Sequence, residues 1–220
     1  MTATATILLF WLLFAATHMG LSDNRLRPRL VERLGERGFL GVYSLISLAT
    51  FVPLVSVYFG NKHAGPLLWD LGSLPGMRWL MYVGMGVALT LVVSGGAQPS
   101  PASMMPGKTE VKGVFRVTRH PLFMGVGIFG LLHLLVTPVN ASELVFFGGF
   151  PIFAVAGCWH QDQRKLVTLG DEYRRFVDET PFLPGSRSGF LRGLGEQPVP
   201  VAIGIVATIA LRYFHAGLFG

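Results

Sequence analysis

Charge is scarce in this chain. Only 14% of its 220 residues are Asp, Glu, Lys or Arg, where a soluble domain carries about 25%. Hydrophobic residues make up 51%, and the mean hydropathy is +0.52. Nothing here suggests a soluble domain of any size, and apolar runs of bilayer-spanning length account for the missing charge. Cysteine is nearly absent too: the lone Cys158 excludes a disulfide framework and any cysteine-rich metal site, and its Ala156-Gly157-Cys158-Trp159 setting is that of a packed thiol. There is no glycine-rich phosphate loop, no HExxH, no Ser/His/Asp arrangement and no pair of intramembrane carboxylates, which argues against a channel or pump. The net charge of +6 comes without a Ser/Arg run, zinc spacing or aromatic RNA-binding signature. It therefore indicates basic loops beside a membrane rather than a nucleic-acid partner.

What is present is a set of six apolar stretches: Thr4–Gly20, Phe39–Phe59, Pro75–Gly95, Leu122–Val139, Leu144–Trp159 and Val199–Phe219. About 20 apolar residues cross the hydrocarbon core of a bilayer. The expectation is an all-α polytopic membrane bundle, one integral domain over 1–220, with about six transmembrane helices. The first stretch lacks the basic start of a signal peptide and reads as a retained helix. The fourth and fifth, separated only by Asn140-Ala141-Ser142-Glu143, read as a tight helical hairpin or, alternatively, as a pair of which one is re-entrant, with a loop too short to present its Asn-x-Ser sequence for glycosylation. Pro53 and Pro151 lie mid-span and are expected to kink their helices, while Gly84/Gly86 and Gly125/Gly127/Gly130 permit close helix contact.

The charges follow the spans. Arg25, Arg27, Arg29, Arg33 and Arg37 fall after the first span. Lys108, Lys112, Arg116 and Arg119 precede the fourth. Arg164, Lys165, Arg174, Arg175, Arg187 and Arg192 follow the fifth. These are fifteen of the 18 basic residues, all on one side of a six-span arrangement, leaving Lys62, Arg78 and Arg212 elsewhere. The positive-inside rule then puts three loops in the cytoplasm and both termini on the outer side, as in a bacterial inner membrane. The last of these loops carries an amphipathic helix: Leu166, Leu169, Tyr173, Phe176 and Val177 recur at spacings of three and four. It lies on the membrane surface or against the bundle.

Ionisable side chains within apolar spans are candidate functional residues. His18 stands near the inner end of the first span and His133 well inside the fourth. Neutral imidazole is a common ligand of haem iron, and two from different helices can hold one haem. The plainer alternative for each is a hydrogen bond to a neighbouring backbone carbonyl. Arg116-Val117-Thr118-Arg119-His120-Pro121 marks the cytoplasmic mouth of the fourth span. Its Arg119 and His120 offer donors to a haem propionate or another cofactor carboxylate, or serve only as a positive-inside anchor. Asp162 and Arg164 are placed to pair with each other or to face a cofactor. His63 and His215 fall in outer segments and read as solvated.

At these residues the chain resembles the NnrU family, which includes the plant and bacterial 15-cis-zeta-carotene isomerases. The resemblance runs from His18 to Pro184, through LGERGF (Leu34–Phe39), VYSLISL (Val42–Leu48), VYFGNKHAGPLLWDL (Val57–Leu71), RVTRHPLFMG (Arg116–Gly125) and LLHLL (Leu131–Leu135). It implies a haem b in the helix bundle with His18 and His133 as axial and metal-binding ligands. In the isomerase branch one ligand is released on reduction, and the iron acts as a Lewis acid on an apolar polyene in a non-redox cis-to-trans isomerisation. Other members are associated with nitrogen-oxide metabolism and denitrification. The same landmarks resemble the isoprenylcysteine carboxyl methyltransferases, in which an RHPxYxG motif and a later acidic, Gly-Tyr-bearing helix enclose S-adenosylmethionine. Here Arg119-His120-Pro121-Leu122-Phe123-Met124-Gly125 and Leu169-Gly170-Asp171-Glu172-Tyr173 take those places. A third expectation is a non-enzymatic haem protein that relays electrons or senses nitric oxide.

Overall fold

The computed structural model describes residues 2–102 and 110–219, with the side chains of 218 and 219 excepted. Lys108 of the basic loop before the fourth span lies outside the described residues. The chain forms α1 (Ala3–Leu21), α2 (Leu26–Phe59), β1 (Leu67–Asp70), α3 (Met77–Ala97), a 3-10 turn (Gly113–Arg116), α4 (Pro121–Val136), β2 (Pro138–Asn140), α5 (Ala141–Leu169), α6 (Asp171–Glu179), α7 (Phe190–Gly195) and α8 (Pro198–Phe219). Five helices (α1, α2, α3, α5 and α8) are long and apolar enough to cross a membrane, and α4 is a shorter apolar helix of 16 residues. At 1.5 Å per residue α4 is about 24 Å long. Its expected extension to Val139 stops at Val136, because the chain there turns into β2. This is an integral membrane protein of the expected all-α class.

By contacts the chain divides into two compact units, Met1–Leu71 with Thr137–Gly149, and Gly72–Val136 with Phe150–Gly220. In the first unit α1 packs on α2. The Trp11 indole N–H donates to the Phe146 carbonyl at 3.1 Å, and Gly149 lies against the same ring, leaving no space for a Cβ. The helical hairpin expected around Asn140–Glu143 is instead a strand followed directly by a capped helix. β2 pairs antiparallel with β1, and Glu143, 2% exposed, returns a carboxylate oxygen to the Asn140 N–H at 3.1 Å, as in a capping box. Its other oxygen accepts from the His63 N–H at 2.8 Å and from the Tyr58 hydroxyl at 3.5 Å. The Ser142 hydroxyl accepts from the Ala64 N–H at 3.0 Å. His63 is exposed, yet its Nδ1 also comes within 3.4 Å of Glu143.

The arginine-rich stretch after α1 is helical too. It begins α2, and a non-helical Gly35 (φ 71°, ψ 164°) separates it from the span proper.

In the second unit α3 packs on both α4 and α8. Small residues make the approaches close: a Cβ on Gly125 would stand 2.5 Å from the Ala88 carbonyl oxygen, and one on Gly95 would stand 2.5 Å from the Leu122 nitrogen. The single amphipathic helix expected over 166–177 is broken at Gly170 (φ 58°) into the end of α5 and the separate α6. Its apolar side faces protein: Tyr173 and Phe176 are buried with Leu91, Val114, Phe115 and Val117, and Leu166 and Val177 pack against that cluster. Of the two placements considered for this helix, the one against the bundle holds. Glu196 then ties α7 to the 3-10 turn, accepting from the Gly113 N–H at 2.7 Å and pairing with Arg116 and Arg192. The Gly113 amide first, and then the two guanidinium groups, lower its pKa to about 2.

Candidate functional site

The Arg119-His120-Pro121 motif sits where α4 starts. Proline fits that first position because its missing N–H has no helical partner to lose. Ahead of it the chain is strapped to the segment after α6. The Arg119 N–H donates to the Pro181 carbonyl at 2.9 Å, and the Thr118 hydroxyl donates to the Phe182 carbonyl at 2.6 Å. This strapping turns Arg119 and His120 inward, where they are 9% and 3% exposed. Phe182 lies under both side chains, 5.0 Å from the Arg119 guanidinium carbon and edge-on to the His120 ring at 5.6 Å.

Both side chains converge on Asp162 of α5, itself 4% exposed. One carboxylate oxygen accepts from Arg119 Nε at 2.9 Å and Nη2 at 2.7 Å. The other meets His120 Nε2 at 2.8 Å and accepts from the Tyr173 hydroxyl at 2.6 Å. A carboxylate can only accept, so His120 Nε2 carries a proton. Arg119 Nη1 donates to the Thr180 carbonyl at 3.0 Å. Burial first, and then the neighbouring Asp162 charge, raise the Tyr173 pKa, so the phenol keeps the proton it donates. A buried ion pair is tolerated when further hydrogen bonds satisfy the remaining lone pairs and protons. Here each carboxylate oxygen has two donors.

This network answers the question left open for Asp162: its partners are Arg119 and His120. It also puts an internal carboxylate where an external anion had been expected. Tyr173 was visible in the sequence only as one member of an apolar stripe. The signal for Asp162 was an acid four residues beyond Cys158 and eight beyond Ala154, both on the buried face of α5. His160 had not been singled out. Its Nε2, with Ser94 Oγ and Gln161 Oε1, is a buried polar atom without a hydrogen-bond partner among the described residues.

The two span histidines belong to different units. His18, in the last turn of α1, places Nδ1 3.2 Å from the Ser47 hydroxyl, with its ring between Phe14 at 5.1 Å and Tyr43 at 4.7 Å. His133, 9% exposed, places Nδ1 2.8 Å from the Phe129 carbonyl. A carbonyl cannot donate, so the Nδ1 of His133 is protonated and a neutral ring keeps its lone pair on Nε2. Among the described residues no group of three or more His, Cys, Asp or Glu side chains could hold a metal ion. His215 is exposed, and Arg212 Nε donates to the Tyr82 hydroxyl at 3.0 Å.

Apolar helices of bilayer length, joined at one helix mouth by a buried Arg-His-Asp-Tyr network, define a polytopic helical membrane protein with an internal polar centre. The model of the NnrU protein family matches residues 6–220, and the chain belongs to that family. It is 26% identical over 188 residues to a protein of Arabidopsis thaliana named 15-cis-zeta-carotene isomerase, chloroplastic, covering 81% of this chain and 48% of the relative. The protein of the same name from Zea mays is 24% identical over 186 residues, covering 81% and 49%. The chain thus spans about half the length of these curated relatives. No solved structure matches.

Proposed function

We propose that this protein is a haem b-dependent membrane isomerase that converts a cis double bond of an apolar polyene to trans, with His18 and His133 as the iron ligands. The observation that carries the reading is the pair of plant relatives of that name, each aligned over 81% of this chain. The donor chemistry fits the group. A metal-bound histidine typically gives its other ring N–H to a carbonyl or hydroxyl, which fixes the tautomer and the ring. His133 has such a bond to the Phe129 carbonyl, and His18 has the Ser47 hydroxyl beside its Nδ1.

A haem held by His18 and His133 would supply Lewis-acid chemistry toward a polyene double bond. The chain's own residues do the rest. The Phe129 carbonyl holds the proton on His133 Nδ1. Aromatic neighbours flank both rings, Phe14 and Tyr43 at His18 and Phe129 at His133. Arg119, His120, Tyr173 and Asp162 hold the start of α4 rigid. In this reading Arg119 and His120 are the residues that would hold a polar end of the cofactor, where a propionate would have to compete with the Asp162 carboxylate for the same donors. The substrate reaches the site from the lipid, and both chain termini face outward.

The test is an absorption spectrum of detergent-purified protein, oxidised and reduced, for wild type, His18→Ala and His133→Ala. The expected result is a Soret band with sharp reduced bands in wild type, altered in both variants, and conversion of a cis polyene only by the reduced wild type. Absence of haem in every sample, even with haem supplied during expression, sinks the reading. Binding of S-adenosylmethionine in that case would turn attention to methyl transfer. Haem without isomerisation in either redox state would leave an electron carrier or nitric oxide sensor.

A further inference from the structure

We infer that residues 26–34, the first part of α2, form an in-plane helix that binds anionic lipid headgroups on the membrane surface. Two stripes run along this segment. Leu26, Leu30 and Leu34 recur every four residues, and Arg25, Arg29 and Arg33 keep the same rhythm one position earlier. One residue is about 100° of helix, so the basic stripe flanks the apolar one, as in helices that lie in a membrane interface. Leu26 and Leu34 are 39% and 45% exposed. Arg25, Arg29, Arg33 and Arg37 are exposed and make no ion pair among the described residues. Of the acids nearby, Asp23 accepts from the Arg25 backbone N–H at 2.8 Å, Glu36 pairs with Arg27 at 2.5 Å, and Glu32 is exposed.

The chain leaves this segment nowhere to go but the bilayer surface. Four residues, Ser22 to Arg25, join it to the end of α1, and Gly35 joins it to the span of α2. A nine-residue helix is only about 13 Å long, so both its ends stay beside the headgroups. Gly35 supplies the turn between surface and span: its φ of 71° is one an L side chain rarely adopts. Arg27 bridges that turn from its near side, reaching Glu36 and lying over the Phe39 ring at 5.3 Å, both beyond Gly35. The leucines then meet the acyl boundary while the guanidinium groups meet phosphate. Anionic phospholipid is the partner selected by the charge, since guanidinium matches phosphate geometry and five arginines (Arg25, Arg27, Arg29, Arg33 and Arg37) outnumber the two acids Glu32 and Glu36 over this stretch.

The proposal is independent of any haem. It is tested with the full-length protein in nanodiscs of phosphatidylcholine alone or of equal phosphatidylcholine and phosphatidylglycerol. The buried Cys158 is replaced by Ala, and single nitroxide labels are placed by Leu34→Cys or Arg29→Cys. In anionic nanodiscs the Leu34 label should favour dissolved oxygen over an aqueous nickel complex, with the opposite preference at Arg29. The Leu34 label should loosen in neutral lipid, in 1 M salt, or when Arg25, Arg29 and Arg33 all become Gln. Each arginine near an anionic surface is expected to raise the surface-bound population by about fivefold. Equal aqueous accessibility of both labels in both lipids would overturn the in-plane helix. A Leu34 label buried to the same extent in neutral and anionic lipid, and indifferent to salt and to the three substitutions, would overturn the anionic partner.

Discussion

Asp162 is surrounded by donors that it alone neutralises. Removing it would leave the Arg119 guanidinium, 9% exposed, with only the Thr180 carbonyl and the Phe182 ring among the described residues. Breaking one side of a buried pair typically costs about 3–5 kcal/mol, most of it the burden of the uncompensated charge. Asp162→Ala should therefore destabilise the protein by about that amount, measured by denaturant titration in mixed micelles with circular dichroism. The double variant Arg119→Met with Asp162→Leu should recover part of the loss, because no buried charge remains. If the single variant is as stable as wild type, the network does not hold the mouth of α4. The two motif residues, Arg119 and His120, were legible in the sequence from their position beside a helix-starting proline. Their partner was not, because a pairing across more than forty residues of chain depends on how α5 packs, which no local period records.

Packing between elements rests on glycine at a few places, and here sequence and structure can be separated. A Cβ on Gly125 would meet the Ala88 carbonyl oxygen at 2.5 Å and Val92 Cγ2 at 2.9 Å. The first contact is backbone, so α3 and α4 would have to move apart. Gly125→Ala is expected to cost about 1–3 kcal/mol, as overpacking does. Gly96 has nothing within 4 Å of such an atom, and Gly96→Ala should be neutral or stabilising by up to about 1 kcal/mol through helix propensity. The same unfolding titration distinguishes them, and equal effects would mean that the close approach of α3 and α4 does not matter. Glycines permitting close contact were expected from their spacing within apolar runs. The β1–β2 ribbon was not: strands of four and three residues are too short for an alternating pattern, and their pairing joins Leu67 to Asn140. The break at Gly170 was missed for another reason. Its flanking apolar residues keep a helical rhythm across it, so periodicity continued through a residue whose backbone does not.

The apolar runs were the most legible feature of the whole molecule, since a bilayer demands length and low charge in each crossing regardless of what the crossing packs against. Each of the six expected stretches overlaps an apolar helix, and the deviations are at ends, where strands and surface segments take over. The distribution of arginine and lysine carries the orientation. Long apolar helices fix how often the chain crosses, whereas basic residues in short loops decide which loops stay in the cytoplasm. Two positions separate the possibilities, in a background with Cys158 replaced by Ala: Lys62→Cys between α2 and α3, and Ser188→Cys between α6 and α7. In intact cells a membrane-impermeant maleimide should label Lys62→Cys, and Ser188→Cys only after permeabilisation. The reverse pattern would invert the protein and place fifteen of its 18 basic residues outside, against the bias that sets most topologies. Labelling of both positions from the same side would mean that α3, α4 and α5 together cross an even number of times. The 16-residue α4 would then be the first helix to doubt, because at about 24 Å it is the shortest of the six apolar helices and falls well below the thickness of the hydrocarbon core.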